Sequence, residues 1–242
     1  MKKIYFLLLA TILIASCKPG SKTNNRSEGK PVITVTLEPL RYLTEAIAGD
    51  RFTVVSMVPK GTSPETYDPT PQQLVELARS KAYFRIGYIG FEQTWTDKLT
   101  DNAPHLQFFD MSQGVDLIYD NTHVHHHAAN EKEHQHAIGV EPHIWNSAVN
   151  AQIIAGNILS ALRNIDKGNE DFYLERYNTL CRKIEHTDSL IRQTLATPGA
   201  DHAFMIYHPA LSYFARDYGL HQISIEEGGK EPSPAHLKDL ID

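Results

Sequence analysis

Short runs rich in β-branched residues alternate along this chain with segments whose apolar residues recur at helical spacing. That alternation restricts it to an α/β fold with a parallel sheet covered on both faces. Val32 to Leu37 and Phe52 to Val58 have the length and composition of strands, and Leu40 to Ala48 between them has helical apolar spacing. The folded part therefore opens with a β-α-β unit. Thr70 followed by Pro71 marks a helix start, an N-cap with proline at the first helical position, and Leu74, Leu77 and Ala78 share one face behind it. Ala82 to Ile86 predicts a third strand, Phe91 to Leu99 a helix after the turn at Gly90, and Leu106 to Phe109 a fourth strand.

From Ser147 the pattern turns strongly helical, with Val149, Ile153, Ile154, Ile158, Leu159 and Leu162 on one face. A second helix is expected from Asn169 to Ala196, ~42 Å long at 1.5 Å per residue, and Pro198-Gly199 ends it. Ala203 to Tyr207, a helix near Ala210 to Tyr218, and Leu220 to Ile225 begin a second β-α-β series, and Ser233-Pro234 opens a further element before Asp242. The expected architecture is two doubly wound α/β lobes joined by one long helix, with the second lobe incomplete here. The first lobe takes residues 31–146, the helical segment 147–198 and the partial second lobe 199–242.

What precedes Pro31 is of another kind. Lys2 and Lys3 lead into the apolar stretch Ile4 to Ala15, shorter than the roughly 20 residues a helix needs to span a bilayer, so residues 1–16 read as a signal segment. Ile14-Ala15-Ser16-Cys17 looks like a bacterial lipobox, in which Cys17 is lipidated and becomes the new N-terminus. Residues 17–30 hold Pro, Gly, Ser, Asn and charges without apolar periodicity, the composition of a flexible tether. With Cys17 used for lipid, Cys181 has no partner for an intrachain disulfide. A formal net charge of −6 argues against a nucleic-acid binder, which needs clustered positive charge.

Thirteen histidines against two cysteines turn attention to metal. Gly61 to Pro69 (GTSPETYDP) follows the second strand and offers Glu65 and Asp68; Glu141-Pro142-His143-Ile144-Trp145 offers His143; Ile206-Tyr207-His208-Pro209-Ala210 offers His208 at the end of an apolar strand. Turn-forming residues before a helix account equally for the first, and a satisfied semi-buried imidazole accounts for either histidine alone. Together, a strand-end histidine from each lobe and a carboxylate loop form an N2O set at the carboxyl ends of the strands, suited to Zn²⁺ and tolerable for Mn²⁺ or Fe²⁺. Asn121 to His136 is a separate signal, a nearly apolar-free loop carrying His123, His125, His126, His127, His134 and His136 beside Glu131 and Glu133. Many rearrangeable imidazoles suit collecting and passing metal better than one closed site. His105, His186, His202, His221 and His236 are scattered singly and read as ordinary residues. No zinc-protease helix, nucleophile elbow, P-loop or dinucleotide fingerprint is present in the sequence.

In SPETYDPTPQQL, EPHIW, YHPALSYFARDYGL and EGGKEPSPAHL the chain resembles the zinc and manganese substrate-binding proteins of bacterial ABC importers, over about Val32 to Asp242. The acidic, His-rich loop before EPHIW is similar to that of the zinc-uptake branch. The resemblance implies two α/β lobes joined by a rigid helix with the metal between them, and His143 and His208 as ligands. It usually places a histidine where Glu65 stands, so either Glu65 ligates, a loop histidine substitutes, or a water fills the position. The family's fourth ligand, an acid late in the second lobe, is expected beyond Asp242. The implied activity is capture and not turnover. A monomer, lipid-anchored on the periplasmic side of the envelope, takes up zinc and delivers it to a membrane permease with its ATPase, with affinity falling as protons compete for imidazole. A manganese or iron carrier is the alternative, and a surface metal sink with no transporter another. A hydrolase using Glu65 as general base lacks a visible substrate pocket and charge-stabilising groups.

Overall fold

The computed structural model describes residues 29–119, 139–226 and 231–241. The signal segment, Cys17, nearly all of the tether and His123, His125, His126, His127, His134 and His136 lie outside the described residues.

The first sheet has strands β1 (Val32–Val35), β2 (Thr53–Ser56), β3 (Ala82–Arg85) and β4 (Gln107–Asp110), all parallel in the order β2-β1-β3-β4. Helices α1 (Glu38–Ala48), α2 (Pro71–Ala78) and α3 (Gly90–Asn102) form the crossovers. The direction of travel across the sheet reverses after β2, so right-handed crossovers place α1 on one face and α2 and α3 on the other. Helices α4 (Ala148–Ile165) and α5 (Glu170–Leu195) pack on each other and on α1. Beyond them, β5 (Ala203–Ile206) and β6 (His221–Ser224) form a second parallel pair joined by α6 (Ser212–Tyr218), and α7 (Pro234–Ile241) follows. Five of the six strands are shorter by one to three residues than their apolar runs suggest, because the runs continue into the loops that leave the sheet, and β4 has the expected length shifted by one residue.

Ile33, Val35 and Phe84 on one face of the sheet are buried beneath Leu40 and Ile47 of α1 and Ile154, Ile158 and Leu162 of α4, and Tyr83 is buried on the other face with its hydroxyl 2.9 Å from Thr36 Oγ1. The long helix α5 spans 26 residues, about 39 Å at 1.5 Å per residue, and its buried side chains are Tyr173 and Leu180. Its fixed point is the end of α1. Gly49 closes α1 at φ 59°, where a Cβ would come within 2.9 Å of the Phe172 ring and 3.0 Å of Arg176, and Arg176 Nε donates to Ala46 O at 3.0 Å.

One expectation about placement needs correcting. In open α/β sheets the crevice where strand order reverses, here between β1 and β3, is the usual ligand position. Here Glu92 fills it. This buried carboxylate accepts from the backbone N–H of Ile86 (2.9 Å), Gly87 (2.7 Å) and Ile89 (3.2 Å) and from Thr36 Oγ1. Burial pushes its pKa above the ordinary carboxylate range while those hydrogen bonds oppose the shift. His143 also does not follow a strand; it lies in a turn between an isolated antiparallel bridge, Tyr119 to Val140, and α4. The candidate residues therefore meet outside the sheet's switch point. Glu92→Ala leaves three backbone donors without an acceptor and is expected to lower the unfolding free energy by about 3 kcal/mol or more. Urea denaturation monitored by circular dichroism measures it, and a loss under about 1 kcal/mol would contradict the assigned role.

Candidate metal centre

Three segments converge at one place, each held by local chemistry. The Glu65 loop is clamped between the start of α2 and the start of α3. Gln73 is the centre of the first clamp: its Oε1 accepts from Thr70 N (3.0 Å), Thr70 Oγ1 (3.0 Å) and Tyr67 Oη (2.5 Å), and its Nε2 donates to Met57 O at 3.1 Å. Thr70 Oγ1 accepts from Gln73 N in return, a capping box that the Thr70-Pro71 start had half announced. On the other side the Tyr67 ring meets the Phe91 ring edge-on at 5.5 Å, and Trp95 Nε1 donates to Asp68 Oδ1 at 3.1 Å. Asp68 is thus engaged in holding the loop, and Glu65 is the carboxylate aimed at the histidines.

His143 sits in the turn that starts α4. Ile144 N donates to Pro142 O and Asn146 N to His143 O, at 2.8 and 3.1 Å, while Ser147 caps α4 by accepting from Asn150 N at 3.0 Å. The buried imidazole packs on Trp145, ring centroids 5.2 Å apart, and its Nδ1 is hydrogen-bonded to the Glu141 carboxylate, which also accepts from His143 N at 3.1 Å. His208 follows β5. There the parallel pairing runs on past the strands, Ile225 N to Ile206 O at 2.9 Å and Glu226 N to Tyr207 O at 3.0 Å, which brings Glu226 Oε2 to 3.1 Å from His208 Nδ1.

Each imidazole is therefore paired at Nδ1 with a carboxylate, an arrangement that selects the Nδ1–H tautomer and leaves the Nε2 lone pair free. The two Nε2 atoms are 3.3 Å apart, and Glu65 Oε1 lies 3.0 Å from His208 Nε2 and 3.7 Å from His143 Nε2. Two ligands at about 2.1 Å from a tetrahedral ion stand about 3.4 Å apart, so one ion fits all three. Three acceptors facing one point, with no donor among them in that tautomer, make a place whose natural complement is a cation. Among the described residues Glu65, His143 and His208 are the group of histidine, cysteine and acidic side chains able to hold a metal ion.

All three candidate side chains singled out from the sequence come together here. The orienting carboxylates Glu141 and Glu226 are the residues that sequence reasoning missed. Glu141, two residues before His143 in EPHIW, carried a readable signal; Glu226 carried none, because only the β5–β6 register makes it a neighbour of His208. Of the scattered histidines, His236 lies on α7 with Nε2 3.3 Å from Ser224 O.

Over residues 33–242 the chain matches the family model described as ZnuA, zinc-uptake complex component A, periplasmic. It is 28% identical over 257 residues to the manganese ABC transporter substrate-binding lipoprotein PsaA of Streptococcus mitis, covering 100% of this chain and 78% of that protein. It is 26% identical over 253 residues to the high-affinity zinc uptake system protein ZnuA of Bacillus subtilis (strain 168), covering 98% of this chain and 75% of that one. A crystal structure of ZnuA superposes with a TM-score of 0.76 at 34% identity, covering 88% of this chain and 77% of the other. With this α/β fold and long helix, and with the family model matched over residues 33–242, the chain belongs to the ZnuA family, whose members are metal-binding substrate-binding proteins of ABC transporters and not enzymes.

Proposed function

We propose that this protein captures Zn²⁺ outside the cytoplasm, holds it between its two lobes on His143 Nε2, His208 Nε2 and Glu65 Oε1, and passes it to a membrane ABC permease with its ATPase. The observation that carries this is the 3.3 Å approach of the two Nε2 atoms, each imidazole backed by a carboxylate, with Glu65 Oε1 beside both. Zinc is favoured by the pair of imidazoles and by the sequence of the His-rich tract, His123, His125, His126, His127, His134 and His136, which is suited to gathering metal ahead of the site. In this reading the protein is a monomer tethered at a lipidated Cys17 on the periplasmic side, with lobes over residues 31–146 and 199–242 joined through 147–198. The long helix α5, fastened to α1 at Gly49 and Arg176, limits hinge opening, so release comes from small shifts of one lobe's ligands against the other's.

A second reading, a manganese or iron carrier, is favoured by Glu65, a hard oxygen donor where the resemblance leads one to expect imidazole. The S. mitis relative is named for manganese and the B. subtilis relative for zinc, so the kinship is compatible with both. Two measurements test the proposal. His143→Ala and His208→Ala are each expected to weaken Zn²⁺ binding by about 100-fold or more in calorimetry, since loss of even an orienting partner costs roughly 10- to 100-fold; unchanged affinity in either variant would remove that residue from the site. In a direct competition Zn²⁺ is expected to displace Mn²⁺, and tighter Mn²⁺ binding would transfer the assignment to manganese.

A further inference from the structure

A carrier that grips its cargo from two sides needs a fixed spacing between the sides, and that spacing runs through a residue that touches neither imidazole. Tyr213 on α6 is fully buried. Its hydroxyl donates to Glu141 O at 2.8 Å and accepts from Ile118 N at 3.1 Å. Those two backbone groups flank the bridge of Tyr119 to Val140 and are themselves joined, Glu141 N to Ile118 O at 2.9 Å. Glu141 then holds His143 Nδ1 with its carboxylate. On the opposite side, the start of α6 is tied to the body that carries His208: Leu211 N donates to Gln222 Oε1 at 2.8 Å, Gln222 Nε2 to Ser212 Oγ at 3.2 Å, and Ala210 N to His208 O at 2.7 Å. One phenol oxygen thus connects the segment bearing one imidazole to the helix braced against the other, with both its donor and its acceptor capacity in use.

We infer that the Tyr213 hydroxyl is a positioning group for metal retention, tying the Glu141 main chain to α6 so that His143 is held at ligand distance from His208. This rests on the carrier reading above. Other contacts bridge the same boundary, Asn146 Nδ2 to Ala210 O at 2.9 Å, Arg216 Nη1 to Asp116 O at 2.7 Å and Ser147 to Asp217, so the lobes stay associated when the hydroxyl is removed. What is lost is the restraint on Glu141, and through it the aim of His143. Tyr213→Phe keeps the ring, over which the Arg216 guanidinium carbon lies 5.1 Å from the centroid, and deletes only the oxygen.

The test compares Tyr213→Phe with Tyr218→Phe, which removes a hydroxyl of the same helix bonded to Asp188 Oδ1 at 2.8 Å on α5. Zn²⁺ release to a chelator is followed by stopped flow, and the visible spectrum of the Co²⁺-loaded protein reports ligand geometry. Tyr213→Phe is expected to release Zn²⁺ about tenfold faster and to alter the Co²⁺ bands, with Tyr218→Phe matching the wild type in both. Combined with Glu141→Gln, the effect of Tyr213→Phe on release is expected to be less than additive, because the two act along one path. Wild-type release and spectrum in Tyr213→Phe, equal changes in Tyr218→Phe, or full additivity with Glu141→Gln would each overturn the inference while the carrier reading stands. A wild-type protein that takes up neither ion would overturn both.

Discussion

Three lone-pair atoms from two lobes face one another at hydrogen-bond range, and much of the surrounding architecture serves to hold them there. The arrangement offers no donor to satisfy them in the tautomer that the flanking carboxylates select. A cation between them converts mutual repulsion into bonding. In the proposed carrier reading, folding and metal capture are linked through this point, because the polypeptide preassembles acceptors that a metal ion would complete.

The preassembly is distributed over elements with distinct tasks. Glu92 at the switch point of the first sheet fixes the loop after β3 and with it the start of α3. Phe91 and Trp95 of α3 then press on Tyr67 and Asp68, and Gln73 gathers the same loop from the other side. Glu65 is thereby presented by a segment with little conformational freedom despite its exposure. The imidazoles are presented differently, one on a capped helix start and one on the continuation of a strand, but each with the same carboxylate device at Nδ1. Such outer partners fix ring orientation and raise donor strength, so in the proposed metal site they would count as much as the ligands.

The fold was largely legible from local pattern. β-branched runs marked β1 and β2, short apolar runs marked the other four strands, Thr70-Pro71 marked the start of α2, and the recurrence of apolar residues located the start of α4 and both ends of α5 to within a residue. Glu65, His143 and His208 were legible only as a set: each alone has an ordinary structural explanation, and the structure brings the three side chains together. Less legible was everything that depends on register between distant segments. His143 was expected after a strand and lies in a turn, since the chain before it contributes only one bridge. Asp68 was indistinguishable from Glu65 until Trp95 was seen to claim it. Glu226 and Tyr213 carry no mark of their roles in sequence, being an acid among acids and an apolar-face aromatic.

What the sequence determined by itself was therefore the kind of element at each position and the chemical type of each donor, quantities set by periods of two and 3.6 residues and by side-chain identity. The tertiary structure alone decided which atoms share a point. The two imidazoles are 65 residues apart in the chain, and their approach to 3.3 Å comes from packing between elements, which no local periodicity encodes.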